Sequence, residues 1–134
     1  MYSLTVSHHI LIAHSLSGAV FGPAQQLHGA TFVVEAELRC AALDGNGILC
    51  DIGLFLELLK EVCGGFAYRN LDELPELRGR NTTCEFLAGE IHRRLAARIG
   101  DGALGPETPS AIAGMRITLR EPPVAWASYD APLG

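Results

Sequence analysis

Residues 3–16 read SLTVSHHILIAHSL. Leu4, Val6, His8, Ile10, Ile12 and His14 share one face, and Thr5, Ser7, His9 and Leu11 the other. That two-residue period predicts a long strand with one apolar side. A loop over Ser15 to Leu27, carrying Gly18, Gly22 and Pro23, leads to a second alternating run with His28, Ala30, Phe32, Val34, Ala36 and Leu38 on one face. Two such runs joined by a turn-rich loop predict a hairpin, which sets His14 at the end of one strand near His28 at the start of the next. Asp44-Gly45-Asn46-Gly47 marks a turn, and Asp51 reads as the N-cap of a helix over Ile52 to Cys63. Its apolar positions Leu54, Phe55, Leu58, Leu59 and Val62 recur at helical spacing, and Gly64-Gly65 supplies the stop. Asn81-Thr82-Thr83 caps a second helix with the stripe Leu87, Ile91, Leu95 and Ile99, ended by Gly100. A Gly/Pro loop over Asp101 to Ser110 precedes a strand in which Met115, Ile117, Leu119 and Glu121 alternate with Arg116, Thr118 and Arg120. Pro122-Pro123 separates it from a last strand over Val124 to Tyr129. The expected order is strand, strand, helix, helix, strand, strand. This is an α+β layer: an antiparallel four-stranded sheet with both helices on one face and open edges that pairing between subunits would close.

The chain has 134 residues, enough for one domain over 1–134. Ten Lys and Arg against 15 Asp and Glu give a net charge of −5, which speaks against a surface for nucleic acid. Asp51 and Glu57 interrupt the most apolar stretch, Ile48 to Leu59, well short of the roughly 18 apolar residues of a membrane span. No charged residue precedes Glu35, so the start lacks the basic region of a signal peptide. Cys40, Cys50, Cys63 and Cys84 show no metal-knuckle spacing, and reduced thiols in a cytoplasm are the expected state.

Two imidazoles converging at a strand end can hold zinc, which takes three or four N, S or O donors. Equally, each can be a strand-end polar group bonded to a backbone carbonyl. His8 and His9 lie too far along the strand to join them, and His92 falls where a solvated helix face is expected. Glu121 ends an apolar stripe, where a carboxylate suits a ligand with adjacent N–H groups or marks the strand exit. Cys84, beside a helix N-terminus, is a candidate for a lowered pKa or a packing residue.

Taken in order, several short runs are signposts: Ala13-His14-Ser15-Leu16, Leu27-His28-Gly29, Gly47-Ile48-Leu49-Cys50-Asp51-Ile52, Leu71-Asp72-Glu73-Leu74-Pro75, Asn81-Thr82-Thr83-Cys84-Glu85 and Leu119-Arg120-Glu121. Over nearly its whole length the chain resembles the family of 6-pyruvoyl tetrahydropterin synthase and 6-carboxytetrahydropterin synthase. The resemblance implies the tunnelling fold, with sheets joining into an oligomeric barrel, and a homohexamer of two stacked trimers with sites at subunit interfaces. It implies zinc on three histidines, at positions that carry His14, His28 and Ala30 here. The family's reactive cysteine maps to Ala24 and its Asp-His pair to Ala67 and Tyr68. The pterin-gripping positions match, as Thr83, Glu85 and Glu121.

The expected activity is that of a pterin-metabolising, lyase-like enzyme acting on a dihydroneopterin-type substrate with altered catalytic residues. Glu121 would anchor the pterin through paired hydrogen bonds, Tyr68 would donate a proton, and His14 with His28 would serve as bases or a reduced zinc site. The alternatives are a non-catalytic pterin or purine binder that keeps the pocket floor, and an interaction protein with a vestigial pocket.

Overall fold

The computed structural model describes all residues, Met1–Gly134. Strand β1 (Tyr2–His14) and strand β2 (His28–Cys40) pair antiparallel from Tyr2 opposite Cys40 to His14 opposite His28. Helix α1 (Ile52–Cys63), a two-residue strand β3 (Arg69–Asn70) and helix α2 (Cys84–Gly100) follow. A four-residue helix α3 (Thr108–Ala111) leads into β4 (Ile112–Glu121), and β5 (Ala125–Ala131) completes the sheet in the order β3-β1-β2-β4-β5. No helix is long and apolar enough to cross a membrane.

The α+β architecture agrees with the sequence reading, but the sheet has five strands where four were expected. The extra one, β3, pairs parallel to β1 through Ile12 with Arg69 and Ala13 with Asn70. Two residues carry no periodicity, so pattern alone does not reveal them. The loop expected over Asp101 to Ser110 likewise ends in the short α3.

The period of two sorts side chains as expected. Ile10, Ile12, Phe32, Val34, Ala36, Leu38, Ile117 and Leu119 face the helices and are buried, each large one contributing about 1.5–3 kcal/mol by leaving water. The opposite face is polar and laced with ion pairs, Arg120 to Glu35 at 3.0 Å and Arg116 to Asp130 at 3.1 Å. Helix α1 buries Phe55, Leu58, Leu59 and Val62, while Leu54, in its first turn at the margin of that stripe, stays half exposed. Asp51 caps α1 by accepting the Leu54 N–H at 3.0 Å. Gly64 does not end the helix through a left-handed turn, since its φ is −59°. Gly65 instead leaves room for Arg94, whose Nη1 would lie 3.0 Å from an added Cβ. The left-handed residue of this connection is Tyr68, at φ 60°, a conformation that side chains other than glycine rarely adopt.

His92 corrects the expectation of a solvated helix face: it is only 5% exposed. Its Nε2–H is shared between the carbonyls of Met115 at 3.1 Å and Ala131 at 3.2 Å, and its ring meets Tyr129 edge-on at 5.0 Å. Helix α2 packs on both β4 and β5, so it has a second buried face besides the leucine and isoleucine stripe.

Candidate functional site

The strand ends define the site. Because β1 and β2 are in register to their last pair, His14 and His28 stand directly opposite each other, with ring centroids 4.6 Å apart. Arg120 pairs with Val33, which brings Glu121 alongside Phe32 on the helix-facing side. The first turn of α2 closes the same end. A cavity of about 210 Å³ opens there, with His14, His28 and Glu121 on its wall beside Phe32, Thr83 and Cys84. Leu16, Ala24 and Ala30 complete the lining, and the Leu16 N–H donates to the Ala24 carbonyl across the loop mouth at 3.0 Å.

The two imidazoles and Thr83 each have a defined hydrogen-bond partner. His14 is 4% exposed, and its Nδ1 is hydrogen-bonded to Thr82 Oγ1 at 2.9 Å. His28 Nδ1 lies 2.8 Å from the Gln26 carbonyl. A carbonyl only accepts, so this nitrogen carries the proton and, in the neutral ring, Nε2 keeps its lone pair. Burial, and then the nearness of His28, hold His14 below the usual imidazole range, against opposing pulls from Thr82, Asp72 and Glu121. The result is an imidazole that stays uncharged at neutral pH. Thr83 Oγ1 caps α2 by accepting the Phe86 N–H at 3.1 Å, and its own O–H is left to donate. Burial, then the carboxylates of Glu121 and Glu85, push the Cys84 thiol up, so the helix N-terminus does not make it a thiolate.

The long loop after β1 is clamped at its start. Asp72 accepts the Ser15 N–H at 3.0 Å and the Ser15 O–H at 2.6 Å. Asn81 accepts the Ser17 N–H at 2.8 Å and donates to the Ser17 carbonyl at 2.9 Å. Thr82, Asp72 and Asn81 were not singled out from the sequence for these roles. Their contacts to residues 14–17 span 57 to 68 positions, and only their small polar type hinted at capping or bridging.

The structure therefore brings His14, His28, Thr83 and Glu121 to one cavity. It places Glu85 outside, exposed on the first turn of α2. Tyr68 also lies outside, 86% exposed at the end of the connection after α1. Ala24 and Ala30, which hold the positions of a thiol and a third imidazole in the resemblance, do line the cavity.

The donor set decides the fit of zinc. No three His, Cys, Asp or Glu side chains of this chain come close enough to share a metal ion. His14 and His28 supply two nitrogens of the three or four donors that zinc takes, and Ala30 supplies none. Within one chain the residues do not complete the zinc site, and no chemical step is derived through a metal below.

The sequence profile described as 6-pyruvoyl tetrahydropterin synthase matches residues 3–132. Among solved structures, 6-pyruvoyl tetrahydropterin synthase from Caenorhabditis elegans superposes with a TM-score of 0.80 at 19% identity, covering 97% of this chain and 95% of that one. The Plasmodium vivax enzyme of the same name gives 0.80 at 17%, covering 98% of each. The Plasmodium falciparum enzyme gives 0.75 at 17%, covering 97% and 98%. No curated protein matches the chain significantly.

Proposed function

This chain belongs to the 6-pyruvoyl tetrahydropterin synthase family, and on that premise we propose that it is a lyase-like enzyme acting on a dihydroneopterin-type pterin with altered catalytic residues. The observation that carries this reading is one cavity lined by a carboxylate, a threonine hydroxyl and two facing imidazoles, of which His14 is held uncharged by burial. The Glu121 carboxylate accepts two parallel N–H bonds from the guanidine-like edge of the pterin, and the Thr83 O–H donates to the ring. Phe32 and the Ala24 and Leu16 side chains give the flat ring an apolar wall. The side chain of the pterin then points toward the imidazoles. His14, neutral and held by Thr82, takes the proton of a side-chain hydroxyl. The freed oxygen pair forms a carbonyl as the adjacent carbon–carbon bond breaks, and the electrons pass into the ring imine, which is reprotonated.

Tyr68 enters this reading only across a subunit boundary. Exposed on its own chain, it is free to donate a proton into a neighbouring cavity in the proposed cytoplasmic homohexamer. Zinc on His14 and His28 would need further donors from the ligand or a neighbouring subunit. Metal analysis of protein purified without added zinc tests this, and less than about a tenth of an equivalent rules out a tight site.

The experiment is incubation with dihydroneopterin and with its triphosphate, with and without zinc, with pterin products identified by mass spectrometry. A pterin with a shortened or altered side chain is the expected result. Unchanged substrate in all four mixtures overturns the enzyme reading. A second reading is favoured by Ala24 and Ala30 in the cavity wall: a non-catalytic pterin or purine binder. It predicts affinity that Glu121→Ala abolishes, with no product formed.

A further inference from the structure

Every lysine and arginine of the chain has a carboxylate partner except three. Arg39 and Arg116 pair with Asp130, Arg120 with Glu35, and Arg93 and Arg94 with Glu90. Arg98 pairs with Glu61 and Lys60 with Glu57. The unpaired ones, Arg69, Arg78 and Arg80, all lie in the segment between α1 and α2. In a chain of net charge −5, where carboxylates outnumber cations, such a concentration of unpaired guanidinium groups is not a consequence of scarcity.

Arg78 and Arg80 flank Gly79, whose φ of +76° turns the chain sharply between them. Both line a pocket of about 340 Å³ with Ser15, Ser17, Asp72 and Asn81. Arg80 also lies over the Phe86 ring, 5.8 Å from its centroid, a contact that leaves its charge without a counter-ion. Asp72 is the one acid on the wall. Its carboxylate is already engaged by the Ser15 N–H and O–H, so it fixes the loop and leaves both arginines without an ion pair.

We propose that Arg78 and Arg80 form an anion site that takes a phosphate oxyanion, in a pocket adjoining the imidazole cavity. Guanidinium forks match phosphate oxygens in paired hydrogen bonds, and a bound phosphate relieves the repulsion between two neighbouring cations. The two pockets are lined by alternate residues of the same segments: Ser15 and Ser17 on one, His14 and Leu16 on the other, and Asn81 is separated from Thr83 only by Thr82, which holds His14. A phosphate reaches the site either as a free ion or as the end of a ligand seated in the imidazole cavity. The second route rests on the pterin reading; the first does not.

The test separates them. Isothermal titration of the full-length protein with inorganic pyrophosphate is expected to show binding that weakens with added salt. That binding falls by at least about tenfold in Arg78→Gln and Arg80→Gln, with part of it kept by Lys at either position. Arg98→Gln, at an ion pair elsewhere on the surface, leaves it unchanged. Both arginines are exposed, and unchanged circular dichroism and melting of the variants would confirm that the fold is kept. Absence of pyrophosphate binding overturns the site, as does an equal loss in Arg98→Gln. Dissociation of an oligomer by the Arg78 and Arg80 variants, with no pyrophosphate binding by the wild type, overturns it in favour of a subunit contact. Dihydroneopterin and its triphosphate form the second arm. A preference for the triphosphate that is lost in the Arg78 and Arg80 variants supports the ligand route. Pyrophosphate binding without that preference supports the free-ion route and overturns the ligand one.

Discussion

Two buried histidines set the strand-end cavity apart from the seam between α2 and β5. His92 lies in the seam with its Nε2–H shared by two carbonyls of paired strands and its ring against Tyr129. His14 lies in the cavity with one hydroxyl on Nδ1 and a second imidazole across the gap. Both are nearly inaccessible, yet the first spends its polarity on the fold and the second keeps a nitrogen for a visitor. Burial of a titratable side chain therefore says little by itself; what the second nitrogen faces decides.

The largest effect should separate the two regions outright. Glu121→Ala is expected to weaken pterin affinity by about 100-fold or more, roughly 2.7 kcal/mol, through loss of a charged two-bond contact. The melting temperature should barely move, because Glu121 is exposed. A large drop in melting temperature would place Glu121 in the fold instead of the site. His92→Ala should do the reverse. Leaving the Met115 and Ala131 carbonyls without their donor and opening a void is expected to cost about 2–3 kcal/mol in denaturant unfolding. Pterin affinity of the folded fraction should be unaltered, and a parallel fall in affinity would break the contrast.

Thr82 and Thr83 give a finer split within two adjacent residues. Thr83→Ala removes the α2 cap and is expected to lower stability by about 1 kcal/mol. Thr82→Val keeps the shape but frees His14, so turnover should fall by about tenfold while pterin affinity changes little. The smallest effect needs no substitution. In metal-free protein, nitrogen-15 NMR should show His92 as the Nε2–H tautomer and His28 as the Nδ1–H tautomer. His14 should titrate below 6.5, since burial and His28 oppose its charge. A midpoint for His14 above 6.5 would contradict the neutral-base assignment.

The contrast also explains which parts could be read in advance. Alternation along residues 3–16 and 28–38 settled the hairpin, and a period of two across a matched register brings His14 opposite His28 with no further information. Helix α1 was legible at both ends, through Asp51 and the apolar stripe, although Gly64 and Gly65 work by a different route from the expected left-handed turn. His92 was not legible, because its burial depends on β5 running beneath α2, and β5 lies more than 30 residues further along the chain. The supports of the site were hidden for the same reason: Thr82, Asp72 and Asn81 reach back across the whole first helix. Glu85 and Thr83 show the limit of a motif. Both sit at one helix start, but a helical turn sends one into the cavity and the other to solvent.

The Ser15–Asp72 and Ser17–Asn81 clamps have a consequence for engineering. They fasten the outgoing foot of the loop to the body, and the hairpin register fastens the returning foot at His28. Between them, residues 18–27 form a cassette whose length is thermodynamically cheap, since doubling a flexible loop adds only about 0.6 kcal/mol of closure entropy. Grafted segments carrying a thiol, a carboxylate or another imidazole near position 24 would enter the cavity without disturbing the sheet. The scaffold is thereby suited to having its chemistry rewritten one loop at a time.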